Sequence, residues 1–131
     1  MKLCVDFEFS ASHILDGLSS VCAHLHGHNY VLEVEVSGAV DPSTGLVIDF
    51  EALDAIVQER VISVVDHRHL NDFLEIPTAE VMLEWFWRML APHVPVSCLR
   101  LHETRRFVAI YEGEGGVEVR YAEGYAGPEA G

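Results

Sequence analysis

The chain has 131 residues, enough for one domain that buries a core without disulfide bonds. Half of its residues are apolar and 22% are charged, which is typical of a globular protein and not of a disordered one. The 8 basic against 21 acidic residues give a net charge of −13, which argues against nucleic acid or an anionic membrane as a partner. No apolar run reaches the roughly 18 residues of a membrane helix, and the first residues do not resemble a signal peptide. We therefore expect a cytoplasmic protein.

The predicted elements begin with two strands. Apolar and polar residues alternate over 2–9 and again over 30–37, which is the pattern of a half-buried strand. A turn that contains Pro42 and Gly45 follows the second strand, because proline fixes one φ angle and glycine permits a positive one. The short apolar stretch 46–50 is interpreted as the end of a strand.

Two helices are predicted next. Apolar residues recur at steps of three and four over 51–65, which indicates an amphipathic helix. A second helix is predicted to begin at Thr78, a good N-cap residue, with Glu80 in its first turn, and to end at Pro92.

Two further strands are predicted over 96–103 and 106–112, and a last short strand over 117–121. The tail 123–131 is rich in Gly, Ala and Glu, so we expect it to fray and the single domain to span residues 1–122. The order strand-strand-helix-helix-strand-strand has no βαβ alternation. It predicts an α+β domain with a four-stranded antiparallel sheet and two helices packed on one face.

Histidines are dense between residues 24 and 28. If this segment enters the second strand, His26 and His28 face the same side and can chelate one metal ion, for which zinc is well suited. Catalytic zinc usually has three protein ligands. The third could be His24, which is in phase with the pair, or His13, just past the first strand, and spacing alone does not choose between them. The alternative is a set of polar turn histidines. This interpretation is the weaker one, because two of the rings are in phase and two more histidines are nearby.

Cys22 stands four residues before His26. A nearby cation would lower the pKa of its thiol and make a thiolate available as a nucleophile or base. The alternative is a small buried apolar residue, which is our interpretation of Cys4 and Cys98. The odd number of cysteines, without framework spacing, fits a reducing compartment.

Two acidic positions have both a structural and a functional interpretation. Asp66 and His67 close the first predicted helix, where they serve either as its C-terminal cap or as an acid–imidazole relay. Glu103 is either a solvated strand end or a carboxylate that accepts two N–H donors from a flat heterocycle. In the second case Arg105 and Arg106 are near enough to contact an anion. Taken alone, Glu103 fits the solvated strand end better.

Taken together, these residues resemble the family of 6-pyruvoyl-tetrahydropterin and 6-carboxytetrahydropterin synthases. The matching motifs follow the family's order and cover nearly everything from residue 1 to about 112. They are Phe9-Ser10-Ala11-Ser12-His13, Cys22-x-x-x-His26-Gly27-His28, Val40-Asp41-Pro42-x-Thr44-Gly45-x-Val47-Ile48-Asp49-Phe50, Asp66-His67-x-x-Leu70-Asn71, Pro77-Thr78-x-Glu80 and Glu103-Thr104.

The resemblance implies the tunnelling fold and a role for each motif. It implies zinc bound by His13, His26 and His28, which leaves His24 without a metal role. It implies that Cys22 is the catalytic thiol with Asp66 and His67 as its partners. It further implies that Glu103 anchors the pterin ring and that other substrate contacts come from Thr104, Thr78 and Glu80.

The three residues between Cys22 and His26 match the spacing of the bacterial carboxy enzymes, whereas the pyruvoyl enzymes have a longer gap. The resemblance thus implies a zinc-dependent lyase of queuosine and deazapurine biosynthesis. It would convert 7,8-dihydroneopterin triphosphate to 6-carboxytetrahydropterin with loss of triphosphate and acetaldehyde. The family implies a homo-hexamer of two trimers with sites at subunit boundaries. The alternatives are a 6-pyruvoyl synthase, a non-catalytic zinc- or pterin-binding protein, and a cyclohydrolase of the same fold, whose zinc site would use a cysteine ligand.

Overall fold

The computed structural model describes residues 1–16 and 24–128. Its strands are β1 (Lys2–His13), β2 (His26–Ser37), β3 (Arg68–His69), β4 (Val96–His102) and β5 (Val108–Tyr111). Its helices are α1 (Phe50–Val57), α2 (Ser63–Val65) and α3 (Ala79–Leu90), with a π-helical segment at Gln58–Ile62 and a 3-10 turn at Leu70–Asp72. None of the helices within these ranges has the length and apolarity needed to span a membrane.

The sheet has the strand order β3-β1-β2-β4-β5. β1 and β2 pair antiparallel from Lys2 opposite Ser37 to His13 opposite His26, while β4 and β5 extend the sheet in antiparallel register. β3 is a two-residue strand that pairs parallel with β1. The α+β architecture is confirmed, but the sheet has five strands instead of the predicted four. The additional strand is too short to produce an alternating pattern in the sequence.

The core lies between one face of the sheet and the helices. Alternate residues of β1 and β2 point into it, as the sequence pattern predicts. Burial of each large side chain stabilises the fold by about 1.5–3 kcal/mol. The largest fully buried side chains are those of Trp85, Tyr30, Phe86, Leu32, Leu53, Leu70, Leu74, Met82, Leu83, Leu90, Leu99 and Leu101.

The helical stretch predicted over 51–65 is interrupted in the structure. α1 begins after Asp49, whose carboxylate accepts a hydrogen bond from the Glu51 N–H, and the π-helical segment then separates it from α2. A π turn has i→i+5 hydrogen bonds and is wider than an α turn, so it changes which side chains face inward. Ile62 is buried, whereas Val64, which the α-helical pattern assigns to the apolar face, is half-buried.

The stretches 46–50 and 117–121 are not strands, contrary to the prediction. Residues 46–49 are bends and irregular chain before α1, and Tyr121 forms only an isolated bridge with Leu74. Beyond it, the Tyr125 hydroxyl accepts a hydrogen bond from the indole of Trp85 at 3.2 Å. The domain boundary at residue 122 stays a prediction, and residues 129–131 lie outside the described part of the chain.

Candidate metal centre

Three imidazoles meet at the end of the β1–β2 pair. His13 ends β1 directly opposite His26, the first residue of β2, and His28 follows on the same face of β2. The ring centroids are 4.4 Å apart for His13 and His26, 5.0 Å for His26 and His28, and 5.2 Å for His13 and His28. The intervening Gly27 is close to β1, because a Cβ atom at this position would lie 3.3 Å from the Ala11 carbonyl oxygen. Antiparallel pairing therefore brings the three predicted ligands together.

Two of the imidazoles are oriented by backbone carbonyl groups. His13 Nδ1 lies 2.9 Å from the Pro77 carbonyl oxygen, and His26 Nδ1 lies 2.8 Å from the carbonyl oxygen of His24. Because a carbonyl oxygen only accepts hydrogen bonds, each Nδ1 carries a proton and donates it. When these rings are neutral, each Nε2 presents a lone pair that can bind a metal ion. Metal-binding histidines are typically held in this way, with the other ring nitrogen donating a hydrogen bond to a second partner.

Two nitrogen atoms at this centre are buried without a hydrogen-bond partner among residues 1–16 and 24–128. They are His13 Nε2 and His28 Nε2. A buried polar atom without a partner costs about 1–3 kcal/mol, so such atoms indicate a missing group. Burial also lowers the pKa of both imidazoles, which favours the neutral form that binds metals. The donor set therefore fits a metal ion.

Glu103 lies beside the imidazoles, immediately after β4. Its Oε1 atom is 3.0 Å from His28 Nε2 and 3.5 Å from His13 Nε2. One ligand atom each from Glu103, His13, His26 and His28 lies within 4.8 Å of the others. Next to them, burial, reinforced by the Glu103 carboxylate, raises the pKa of the Tyr30 hydroxyl well above its usual range. The sequence alone favoured a solvated strand end for Glu103 and the family resemblance implied a contact with the pterin ring, so its position against the histidines was not predicted.

Asp66 and His67 are attached to β1, and His67 lines a cavity that His28 of the four-residue group also lines. Asp66 Oδ1 accepts a hydrogen bond from the Ser10 N–H at 3.0 Å and lies 3.1 Å from His67 Nδ1. The Ser10 N–H is the main reason why the pKa of the Asp66 carboxyl is lowered. His67 has a left-handed φ of 59° and a side chain that is 82% exposed. A strained residue of this kind is often functional, and here it presents its imidazole outward.

The remaining predicted site residues have local partners. Thr78 Oγ1 accepts a hydrogen bond from Val81 N–H at the start of α3, and Thr104 Oγ1 accepts from the N–H groups of Arg106 and Phe107. Glu80 lines a cavity of about 580 Å³ together with Glu103, Arg106 and Phe107. The Arg106 guanidinium lies 5.4 Å from the centroid of the Phe107 ring. Cys22 lies outside the described residues.

Sequence reasoning missed two features of this centre, namely the carbonyl groups that orient two imidazoles and the position of Glu103 beside the imidazoles. The carbonyl groups of His24 and Pro77 orient ligand rings, although neither residue type signals such a role. The proximity of Glu103 to the imidazoles was missed as well, since it depends on the pairing of β2 with β4 across a long connection. For the Pro77 carbonyl group, the sequence signal was the Pro77-Thr78 motif, which pointed to this segment without indicating its contact with His13.

The chain is similar to pterin synthases in sequence and in structure. A family model described as 6-pyruvoyl tetrahydropterin synthase matches residues 2–114. A protein of Archaeoglobus fulgidus called a putative 6-carboxy-5,6,7,8-tetrahydropterin synthase is 44% identical over 104 residues, which are 79% of this chain and 88% of that protein. The 6-pyruvoyl tetrahydrobiopterin synthase of Poecilia reticulata is 33% identical over 97 residues, 68% of this chain and 66% of that protein. The solved structure of Caenorhabditis elegans 6-pyruvoyl tetrahydropterin synthase superposes with a TM-score of 0.76 at 28% identity, covering 86% of this chain and 95% of that chain.

Proposed function

Since the chain belongs to the 6-pyruvoyl tetrahydropterin synthase family, we propose that it is a zinc-dependent 6-carboxy-5,6,7,8-tetrahydropterin synthase. Its substrate is 7,8-dihydroneopterin triphosphate, and its products are 6-carboxytetrahydropterin, triphosphate and acetaldehyde. The observation that supports this most strongly is the meeting of three imidazoles, two of which have a buried Nε2 atom without a hydrogen-bond partner in the described part of the chain. The spacing of Cys22 from His26 and the Archaeoglobus relative favour the carboxy over the pyruvoyl reaction.

In this proposal His13, His26 and His28 hold Zn²⁺. The bound ion supplies Lewis-acid chemistry at the substrate side chain. The hydrogen bonds from the rings of His13 and His26 to backbone carbonyls keep those rings in position before substrate arrives.

The proton-transfer groups of the proposal are Cys22, His67 and Asp66. Cys22, as a thiolate, takes a proton from the substrate side chain and returns it, and His67 tunes that transfer. Asp66 stays ionised because the Ser10 N–H stabilises its charge, and it holds His67 through Nδ1. His67 is exposed within one chain, so it suits a site completed at a subunit boundary.

The ring of the substrate is bound by carboxylates and hydroxyls in the proposal. Glu103 accepts hydrogen bonds from two N–H groups of the pterin ring and thereby fixes the position of the substrate's side chain. Glu80 lines the same cavity, and Thr78 and Thr104 add polar contacts. The chain acts in queuosine and deazapurine biosynthesis in the cytoplasm.

The proposed assembly is a homo-hexamer of two trimers. The edge strand β5 supports it, since Phe107, Val108 and Ile110 at this edge are large apolar side chains exposed in one chain.

The reaction is tested by incubating the zinc-loaded protein with 7,8-dihydroneopterin triphosphate and identifying the products by mass spectrometry. We expect 6-carboxytetrahydropterin and acetaldehyde. A product that keeps all three side-chain carbons would instead favour the 6-pyruvoyl reaction, for which the Poecilia relative is named. Binding of zinc and pterin without any product would indicate a non-catalytic binding protein.

Cys22→Ala tests the proposed thiol. We expect turnover to be abolished while zinc is retained in full, measured by elemental analysis. The matched control is Cys4→Ala, which should turn over normally. Its thiol on β1 is exposed, so the prediction of a buried residue was wrong for Cys4, whereas Cys98 is buried as predicted. Normal turnover by Cys22→Ala would contradict the assigned role, and loss of zinc would favour the cyclohydrolase-like site with a cysteine ligand.

A further inference from the structure

We propose that Glu103 is the fourth ligand of the metal ion in the resting protein and that it leaves the ion when substrate binds. This inference rests on the proposed function, because it takes the three imidazoles as zinc ligands. It adds a second role for Glu103, which the sequence motif connects only with the pterin ring.

The distances fit a tetrahedral site. With Zn–N and Zn–O bonds of about 2.0–2.2 Å, the edge of a tetrahedron between a nitrogen and an oxygen ligand is about 3.4 Å. The distances from Glu103 Oε1 to His28 Nε2 and to His13 Nε2 are 3.0 Å and 3.5 Å, on either side of this value. The same oxygen atom, Glu103 Oε1, makes both contacts. This is expected when one carboxylate oxygen and the two nitrogen atoms bind the same metal ion.

Hydrogen bonding does not account for these contacts. Among the residues that the structure describes, neither His13 Nε2 nor His28 Nε2 has a hydrogen-bond partner, although the Glu103 oxygen is so close to both. His13 donates its Nδ1 proton to Pro77, so in the neutral ring a lone pair faces the carboxylate oxygen. Two acceptors that face each other inside a protein are unfavourable, and a cation between them removes the repulsion.

A second carboxylate–imidazole pair in the same sheet shows the contrast. Glu33 on β2 lies 2.6 Å from His102 Nε2 on β4, and this pair is hydrogen-bonded. It involves one imidazole, whereas Glu103 is shared between two at longer distances. His102 and Glu103 are neighbours in the chain, but successive residues of a strand point to opposite faces, so the two pairs are the same kind of contact at different places and with different geometry.

The two roles of Glu103 exclude each other in time. A tetrahedral ion held by three imidazoles and Glu103 has no free position, so Glu103 and the substrate side chain cannot both be its fourth ligand. Catalytic zinc needs one position open to substrate, and Glu103 closes that position in the resting site. Arrival of the pterin ring therefore frees the metal position that the substrate side chain needs.

The experiment uses Co²⁺ as a spectroscopic substitute for zinc in the full chain. Apo-protein is loaded with Co²⁺, the visible spectrum is recorded with and without azide, and zinc affinity is measured by competition with a chelator. The wild type should give a four-coordinate spectrum that azide leaves unchanged. In Glu103→Ala and Glu103→Gln the spectrum should change, azide should perturb it, and zinc should bind roughly tenfold or more weakly.

Glu33→Gln is the matched control, since it makes the same substitution in the neighbouring carboxylate–imidazole pair. Its spectrum, azide response and zinc affinity should equal those of the wild type. Glu103→Asp keeps a carboxylate on a shorter side chain and should fall between the wild type and Glu103→Ala. Far-ultraviolet circular dichroism of each variant identifies any that fails to fold, and Glu103→Gln, with unchanged volume, then carries the test.

Equal zinc affinity and an unchanged cobalt spectrum in folded Glu103→Gln would overturn the inference while leaving zinc binding by three imidazoles intact. Failure of the wild-type protein to bind either ion would instead overturn the proposed metal site itself. A direct sign of ligand exchange is available as well. Addition of 7,8-dihydropterin, which has the ring but lacks the side chain that would occupy the freed position, should make the spectrum of the wild-type cobalt protein sensitive to azide, and an insensitive spectrum at saturating dihydropterin would refute the exchange.

Discussion

Gly113 lies where the chain leaves β5 and has no room for a side chain. Its φ is 80°, and a Cβ atom would overlap the ring of Trp87. Gly115 has nearly the same backbone angle, with a φ of 79°, but a Cβ atom there would meet nothing within 4 Å. The two glycines therefore separate the cost of backbone conformation from the cost of crowding.

Gly113→Ala should lower the free energy of unfolding by about 2–4 kcal/mol, because the left-handed conformation and the collision with Trp87 both contribute. Gly115→Ala, which meets only the conformational cost, should lower it by about 1–2 kcal/mol. Urea denaturation followed by tryptophan fluorescence measures both. Equal losses in the two variants would show that the Trp87 ring moves away without cost.

Individual site residues were predictable to different degrees. His26 and His28 share a face because a strand has a period of two, and this needs no knowledge of the rest of the fold. The choice of His13 over His24 needed the family motif, and the β1–β2 register gives its physical basis by placing His13 opposite His26. Glu103 alone resembles a solvated strand end, since its neighbours in space, His13 and His28, belong to the first two strands of the chain and reach it only through the pairing of β2 with β4.

At the scale of elements, α3 depends on its first turn. Thr78 Oγ1 accepts a hydrogen bond from the Val81 N–H at 3.2 Å, and Glu80 adds negative charge near the positive end of the helix. Thr78 is also a predicted substrate contact, so its substitution has two separable effects. One is on the stability of α3, and the other is on substrate affinity.

Thr78→Ala should lower the free energy of unfolding by about 0.5–2 kcal/mol, because one N–H of the first turn loses its acceptor. Thr78→Ser keeps the hydroxyl and should stay within about 0.5 kcal/mol of the wild type. Thermal and urea unfolding of both variants check the cap. A Thr78→Ala protein as stable as the wild type would mean that water replaces the threonine oxygen fully.

Elements with a long and regular pattern were predictable, and short or irregular ones were not. β1, β2 and α3 each bury alternate or helically spaced side chains over 12 residues, so their patterns stand out. β3 has two residues and pairs only at Ala11 and Ser12, so its existence depends on the tertiary position of the segment after α2. The alternation at 117–121 is real, but that segment packs on the rest of the chain through Tyr121 without joining the sheet.

On the scale of the whole molecule, charge and metal binding are connected. With a net charge of −13, the folded chain repels itself, and any cation lowers that repulsion by screening. A stabilising effect of zinc is therefore informative only when it exceeds the effect of another divalent ion. Mg²⁺, which prefers oxygen ligands in an octahedral arrangement, supplies the same screening without fitting a cluster of three imidazoles.

Zinc should raise the melting temperature of the apo-protein by roughly 10 °C when its free concentration is about a hundred times the dissociation constant. A ligand that binds only the folded state then stabilises it by about 2.7 kcal/mol, and each kcal/mol raises the melting temperature by a few degrees in a domain of this size. Differential scanning calorimetry with Zn²⁺, and with Mg²⁺ at equal ionic strength, measures the shift. In His13→Ala, which lacks the most buried of the three imidazoles, Zn²⁺ should do no more than Mg²⁺. An undiminished zinc shift in His13→Ala would place the metal elsewhere on this acidic chain.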